Sequence, residues 1–220
     1  TREAIWHPAD LLAGGSNTLY LLSGGQNAER LAPIYSCLVS EVVEAAIASA
    51  KASPSGRLEP GLRMVLDELA TTAPFPGLPD LLATGAGLGI HLLCIFQSLS
   101  QIDGRWGKEA RATILGNCAA SLWARSDDPE TMDHLSKVLG SQQVAQHSVS
   151  VDDGRRRRSR STSLGSRSTL DASGFRTSAR PILLAQGIPP APLDWRYYDR
   201  DRRLSRLAGL PKPTLRADQM

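Results

Sequence analysis

Cysteine is scarce in this chain. Cys37, Cys94 and Cys118 are widely separated and odd in number, which argues against a disulfide framework or a paired-cysteine zinc site. Each lies in an apolar stretch and reads as a small buried hydrophobe. The four histidines, His7, His91, His134 and His147, share no metal-ligand spacing. Aromatic residues are only 5% of the chain, so a core must be built from Leu, Ala, Ile and Val. Lysine is nearly absent: of 25 basic residues all but Lys51, Lys108, Lys137 and Lys212 are Arg. Codon bias in a GC-rich genome is the bland explanation of that skew, so the Arg share alone does not argue for nucleic-acid binding. No apolar run approaches bilayer length, so neither a transmembrane helix nor a secretory signal peptide is expected. There is no nucleophile elbow, no Ser/His/Asp arrangement with local support, and no internal repeat.

A phosphate-binding loop is also missing. Gly104-Arg105-Trp106-Gly107-Lys108 comes near it, but Ile102 stands where the first Gly is required and Glu109 where Ser or Thr is required. Gly85, Gly87 and Gly89 miss the dinucleotide fingerprint, which needs its third Gly at position 90. They read instead as a tight turn with close packing.

What remains is a chain of 220 residues, 41% hydrophobic and 21% charged, ordinary for a globular protein and long enough for one large domain or two small ones. Beginning at Thr1, it reads as a piece of a longer protein. Its net charge of +3 is local. Residues 152–180 hold eight Arg against three Asp, and the remainder is slightly acidic.

Along the chain, Thr18-Leu19-Tyr20-Leu21-Leu22 carries a strand signal before the turn Ser23-Gly24-Gly25. Apolar spacing predicts a helix over residues 29–51, ended by Pro54, Gly56 and Pro60. Leu62-Arg63-Met64-Val65-Leu66 reads as a buried parallel strand closed by Asp67-Glu68. A Pro-rich loop over 71–79, a short helix over 78–83 and a second buried strand over 90–96 follow. A helix is expected over 107–115 and a third strand over 119–124. Asp127-Asp128-Pro129-Glu130 then starts a helix that runs to about Leu139. This alternation argues α/β with a parallel sheet. Residues 143–151 alternate as an exposed antiparallel strand does. Residues 152–178 are Arg, Ser, Thr and Gly and are expected to be a disordered loop. Two short strands, 181–185 and 193–198, surround Pro189-Pro190 as a closing hairpin over 179–206, and residues 207–220 form a loose tail.

The chemistry points to the end of the first buried strand. Asp67 and Glu68 fall at the carboxyl edge of the sheet, where open α/β folds place ligands. In nucleotide hydrolases the first such acid holds Mg2+ through its waters and the second polarises the attacking water. Gln97 ends the next apolar strand 29 residues later, room for a helical crossover. An amide there can sense the γ-phosphate. Each feature alone is equally consistent with polar strand ends meeting solvent. The basic run Arg155, Arg156, Arg157 and Arg158 is a candidate DNA contact or a plain solvated loop.

Taken in order, the acidic strand end, the GLPDLL loop, the Gly-rich turn, FQSLSQ, RWG, TILGN and the DPET helix ending in LG resemble one family. Residues 62–140 look like the C-terminal ATPase half of the TraG/TraD-type coupling proteins of bacterial conjugation and type IV secretion. SARPILLAQGIPPAPLDWRYYDRDRRL resembles the hairpin ending of actinobacterial-type members. With the weaker upstream match, the resemblance covers about residues 5–206.

The resemblance implies a RecA-like P-loop NTPase core, residues 1–151, that lacks its phosphate-binding loop and is completed by the closing hairpin. It implies ATP and Mg2+ as cofactors, bound only with an upstream loop, and a ring, as in a hexamer, at the cytoplasmic face of the bacterial membrane. Its partners would be a relaxase, single- or double-stranded DNA and the secretion channel. Asp67 and Glu68 match the family's second nucleotide motif, and Gln97 its γ-phosphate-sensing Gln. Ala86 stands where many members carry an interface Arg. The isolated chain is therefore expected to be inactive as an ATPase. Two other readings remain open at this point: a segregation-pump type of hexameric DNA translocase, and a non-catalytic docking or DNA-binding relic.

Overall fold

The computed structural model describes residues 7–14, 17–22, 27–152, 157–168, 172–178 and 180–209. They form a mixed α/β structure with one small parallel sheet and two antiparallel ones. The chain divides into two compact units, Thr1–Cys118 with Asp128–His134, and Ala119–Asp127 with Leu135–Met220.

The first unit begins with α1 (Pro8–Leu12) and α2 (Ala28–Ala52). The helix α2 buries Val39, Val42, Val43, Ala46 and Ala50, a stripe of i, i+3, i+4 and i+7 spacing, and leaves Glu41 and Glu44 on its other sides. It is long and apolar enough to cross a bilayer by length and composition, contrary to the expectation that no run comes near it. Its buried valine stripe is also what a core helix of this unit requires. The expected strand at 18–22 is not part of a sheet; residues 17–22 carry no strand pairing.

β1 (Leu62–Leu66) and β2 (Ile90–Cys94) pair in parallel, Leu62 opposite Ile90 through Leu66 opposite Cys94. Between them run α3 (Leu69–Thr72) and α4 (Leu78–Thr84). The Pro-rich loop is therefore partly helical. Gly89 ends the crossover with φ +78, and a Cβ there would stand 2.7 Å from the Leu58 carbonyl oxygen. Only glycine fits that turn.

The helix α5 (Leu99–Gly116) starts eight residues before the expected 107. The start is set by Ser98, whose Oγ accepts the Gln101 N–H, and the helix is broken at Gly107 (φ 85). The expected helix is thus the second half of a kinked one. The opening of α6 (Pro129–Leu139) completes this unit. Asp128 caps it, accepting from the Thr131 N–H (2.9 Å) and the Thr131 hydroxyl (2.6 Å). The Thr131 hydroxyl in turn accepts the buried Leu99 N–H (3.0 Å), and Ser100 donates to Asp128 (2.5 Å). The starts of α5 and α6 are thereby tied together. Arg111 pairs with Asp103 (3.0 Å) and Glu130 (3.2 Å), bracing the same two helices.

In the second unit, β3 (Ala120–Trp123) is a strand as expected but not a member of the parallel sheet. It pairs antiparallel with β6 (Ile182–Ala185), Ala120 opposite Ala185. An apolar run marks a strand, but its partner is chosen by tertiary contacts. Of residues 152–178, expected as a disordered loop, 153–156 and 169–171 lie outside the described residues. β4 (Ser141–Asp152) and β5 (Arg157–Ser168) form a hairpin twelve residues deep, and α7 (Ala172–Thr177) follows. A two-stranded ladder pairs its inward backbone groups and leaves the outward ones to solvent, so its formation does not depend on apolar side chains alone.

The closing hairpin is β6 with β7 (Ile188–Pro192), joined through Gln186 and Gly187 (φ 79). The second strand was expected at 193–198. Pro189 and Pro190, read as the turn, instead lie in β7, an edge strand that pairs only with β6 and can leave their missing N–H groups outward. α8 (Arg202–Leu207) follows, almost wholly within the residues 179–206 expected as the closing hairpin; of the loose tail expected over 207–220, residues 210–220 lie outside the described residues.

Candidate nucleotide-hydrolysis site

The parallel pair brings three predicted residues together. The ladder continues past the strands, with Ile95 N–H donating to the Leu66 carbonyl (3.0 Å) and Leu69 N–H to the Ile95 carbonyl (3.2 Å). These bonds hold the carboxyl ends of β1 and β2 side by side. There the Gln97 amide Nε2 donates to Glu68 Oε1 at 3.1 Å, across 29 residues of sequence. Asp67, Glu68 and Gln97 are all exposed.

Glu68 is held in the left-handed region, φ 47 and ψ 40, the one non-glycine residue there among the described residues. For a side chain with a Cβ this conformation costs about 1 kcal/mol. The surroundings fix it. Its N–H donates to Asp67 Oδ1 (3.0 Å), and its carbonyl and that of Asp67 share the Thr72 hydroxyl (3.1 and 3.0 Å). Leu69 and Ala70 directly after it are buried. Strain kept by a packed frame at an exposed acid makes Glu68 a candidate functional position.

Gln97 is fixed in turn by Gln101, one helical turn on in α5. The Gln97 backbone N–H donates to Gln101 Oε1 (3.1 Å), and Gln101 Nε2 donates back to Gln97 Oε1 (3.1 Å). With its oxygen engaged by Gln101, the Gln97 amide directs its nitrogen at Glu68. Sequence reasoning did not single out Gln101 or Thr72. The i, i+4 pairing of two glutamines within FQSLSQ was the legible signal for the first.

The family motifs converge on this frame. Trp106 of RWG donates from Nε1 to the carbonyl of Phe75 in the Pro-rich loop (2.9 Å) and meets Phe96 of FQSLSQ edge-to-face, centroids 6.0 Å apart. Cys94, at the end of β2, has its thiol pushed up to about 12 by burial and, less, by Cys118. Burial raises Cys118 too. Cys94 and Cys118 are half-buried and Cys37 is exposed, where burial was expected of all three. Ala86, the position at which the resemblance implies an interface Arg, lies exposed in the turn after α4. Arg111 is committed to its two acids. Arg155 and Arg156 lie outside the described residues, while Arg157 and Arg158 open β5 opposite Asp152 and Val151.

Asp67, Glu68 and Thr72 line a cleft of about 1120 Å³ shared with Leu21, Val42 and His91. Among the described residues no group of three His, Cys, Asp or Glu could hold a bare metal ion. Two adjacent exposed carboxylates do fit a hydrated cation, held through its waters. Triphosphate is different: the 220 residues contain no phosphate-binding loop motif to cradle it.

Residues 61–180 match the protein family described as the TraM recognition site of TraD and TraG, and the chain belongs to that family. Among solved structures it is similar to the unbound monoclinic form of the bacterial conjugative coupling protein TrwBdeltaN70. That match has a TM-score of 0.56 at 20% identity and covers 76% of this chain and 39% of that one. The plasmid coupling protein TrwB in complex with the ATP analogue ADPNP aligns at TM-score 0.52 and 21% identity, over 75% of this chain and 37% of that one. TrwB in complex with ADP and Mg2+ aligns at TM-score 0.51 and 22% identity, over 77% and 39%. The chain thus spans about two fifths of the length of these structures, and the likeness is one of fold. A search of the curated proteins gave no match.

Proposed function

We propose that this chain carries the acid and sensor half of a conjugative coupling ATPase with a RecA-like core. The carrying observation is the 3.1 Å bond from Gln97 to Glu68, which joins two strand ends 29 residues apart into one polar cluster. In this reading Asp67 holds Mg2+ through water, Glu68 polarises the attacking water, and Gln97 senses the γ-phosphate and reports hydrolysis to α5 through Gln101. Bound Mg2+ would neutralise charge on the phosphates. The phosphate cradle would come from chain outside these 220 residues. The fold shared with nucleotide-bound TrwB supports this assignment.

The protein would act as a ring, a hexamer in this reading, at the cytoplasmic face of the cell membrane. It would bring relaxase-bound DNA to a type IV secretion channel and drive its transfer, and its family region would dock a TraM-like relaxosome protein. Arg155, Arg156, Arg157 and Arg158 would add a salt-dependent DNA contact. Membership of the TraD and TraG family weighs against the segregation-pump type of translocase. Ala86 favours a second reading, a docking relic without catalysis.

The test is ATP turnover by a longer protein that includes a GxxxxGK[ST] loop upstream. Turnover lost on Glu68→Gln, with none from the 220-residue chain, is expected. Turnover unaffected by Glu68→Gln would sink the catalytic assignment. No turnover from the longer protein would support the relic.

A further inference from the structure

The helix α5 is broken in a way that crowding does not require. Gly107 stands at φ 85 and ψ 162 between two helical halves, residues 99–106 and 108–116. That region of backbone space is open essentially to glycine alone, and such positions gather at switch regions. Room is not the reason for glycine: among the described residues, a Cβ at position 107 would meet nothing within 4 Å. Glycine is there for the backbone conformation itself. A sharp bend at glycine is also where a helix can pivot.

The two halves are held differently. The first buries Leu99 and Ile102, and its Trp106 is anchored to the Phe75 carbonyl and against Phe96. In the second, no residue from 107 to 113 is buried, and Ile114 is the first that is. This half is tied down by charge. One Arg111 nitrogen, Nη1, serves Asp103 Oδ2 across the bend (3.0 Å) and Glu130 Oε2 at the start of α6 (3.2 Å). Lys108 lies 3.6 Å from the other Glu130 oxygen. The Arg111 donor foremost, and the Lys108 charge next, hold the Glu130 carboxyl below its ordinary range. All these groups belong to the first unit. The clasp is incomplete. Among the described residues, buried Asp103 Oδ1 meets no donor, although a guanidinium fork can serve both oxygens of a carboxylate. A buried oxygen left without a donor costs free energy, which narrows the gap between the clasped helix and an open one.

We infer that α5 is a two-position lever. Residues 108–116 pivot at Gly107, and the Arg111 clasp on Asp103 and Glu130 holds the resting position. The control of the lever rests on the reading of Gln97 as the phosphate sensor. Gln101, which holds Gln97, lies two residues before Asp103 on the anchored half. A nucleotide that recruits Gln97 frees Gln101, shifts that half and draws Asp103 off Arg111. The ligand's preference for the released Gln97 then sets the balance between the two positions. Once the lever swings, Glu130 loses Arg111 and the opening turn of α6 is released.

The test is fluorine NMR of the 220-residue chain labelled with fluorotryptophan. The Trp106 signal, beside the pivot, is assigned by its loss in Trp106→Phe. Arg111→Gln opens the clasp and is expected to raise the population of a second Trp106 signal about tenfold. Gly107→Ala cannot keep the bent backbone and touches neither acid, yet it should populate the same second position. Gly104→Ala is the control: that residue is helical with nothing within 4 Å of an added Cβ, and the signal should stay as in the unsubstituted chain. Two unlike perturbations meeting at one new signal define one alternative position of the helix. Two unrelated signals, a signal where the urea-unfolded chain has it, or no change in either variant would leave a static kink and overturn the inference. The nucleotide arm uses the longer protein with its upstream loop. A non-hydrolysable ATP analogue should move Trp106 to the same second position, and Gln101→Ala should abolish the move. No move in a protein whose turnover depends on Glu68 would overturn the lever and leave the catalytic reading intact. No turnover at all would remove that reading, and the 220-residue arm would still decide the pivot.

Discussion

Replacing Thr131 with Val tests the frame on which the site stands. The change is nearly isosteric and Thr131 is 4% exposed, so packing is conserved and only the hydroxyl is lost. That hydroxyl accepts the Leu99 N–H at 3.0 Å and donates to the Asp128 carboxylate at 2.6 Å. Leu99 is buried, so its N–H finds no water in exchange; an orphaned buried donor costs about 1–3 kcal/mol. Losing the donation to a carboxylate adds about 1 kcal/mol, since Asp128 keeps its bonds from Ser100 and from the position-131 N–H. The expected loss is about 2–4 kcal/mol, measured by urea titration followed by circular dichroism. For a unit of this size that lowers Tm by about 6–15 °C. Thr131→Ser, which keeps the hydroxyl and removes one methyl, should cost no more than about 1 kcal/mol. If Val proves as stable as Ser, the hydroxyl relay between α5 and α6 does not hold the fold and the reasoning fails.

Three further outcomes are expected. Burial alone would raise the Asp128 pKa, but bonds from Ser100 and Thr131 outweigh it and lower it. Its stabilising share is therefore whole above the ordinary carboxylate value of about 3.9 and is lost as pH falls through the lower folded value. An acid titration of Asp128→Asn should lack that part of the decline; identical profiles would contradict it. Cys94, with a pKa of about 12, should be about one part in ten thousand thiolate at pH 8. Exposed Cys37 should be alkylated first in timed iodoacetamide mapping, and comparable rates would show that β2 opens readily. In a longer protein that turns over ATP as proposed, Gln101→Ala should cut kcat about tenfold with KM for ATP little changed, because it releases Gln97 without touching nucleotide binding. A rise in KM alone would remove Gln101 from the relay.

Much of this was legible because it is local. The strand Leu62–Leu66 was bounded by its own apolar run and the acids that close it, and α6 by Asp128, Pro129 and Gly140. Asp67, Glu68 and Gln97 were readable as strand-end polar residues, and their meeting followed from a parallel crossover of ordinary length. What failed was partner choice. The apolar run at 120–123 looks the same whether its strand joins a parallel sheet or an antiparallel one, and the structure pairs it with residues 182–185. Pro189-Pro190 announced a turn by composition, yet the Gln186-Gly187 turn before it, with positive φ at Gly187, placed both prolines in an edge strand.

The sequence by itself determined which residues carry carboxylates, amides and rings, and where the chain must turn. Those properties belong to single residues and their near neighbours. Only the tertiary structure decided that Glu68 sits left-handed against Gln97, that Gln101 aims the amide, and that Arg111 clasps Asp103 and Glu130 across the bend at Gly107. These are outcomes of which strands pair and which faces are covered. Pairing and burial are summed over contacts far apart in sequence, so no local pattern contains them.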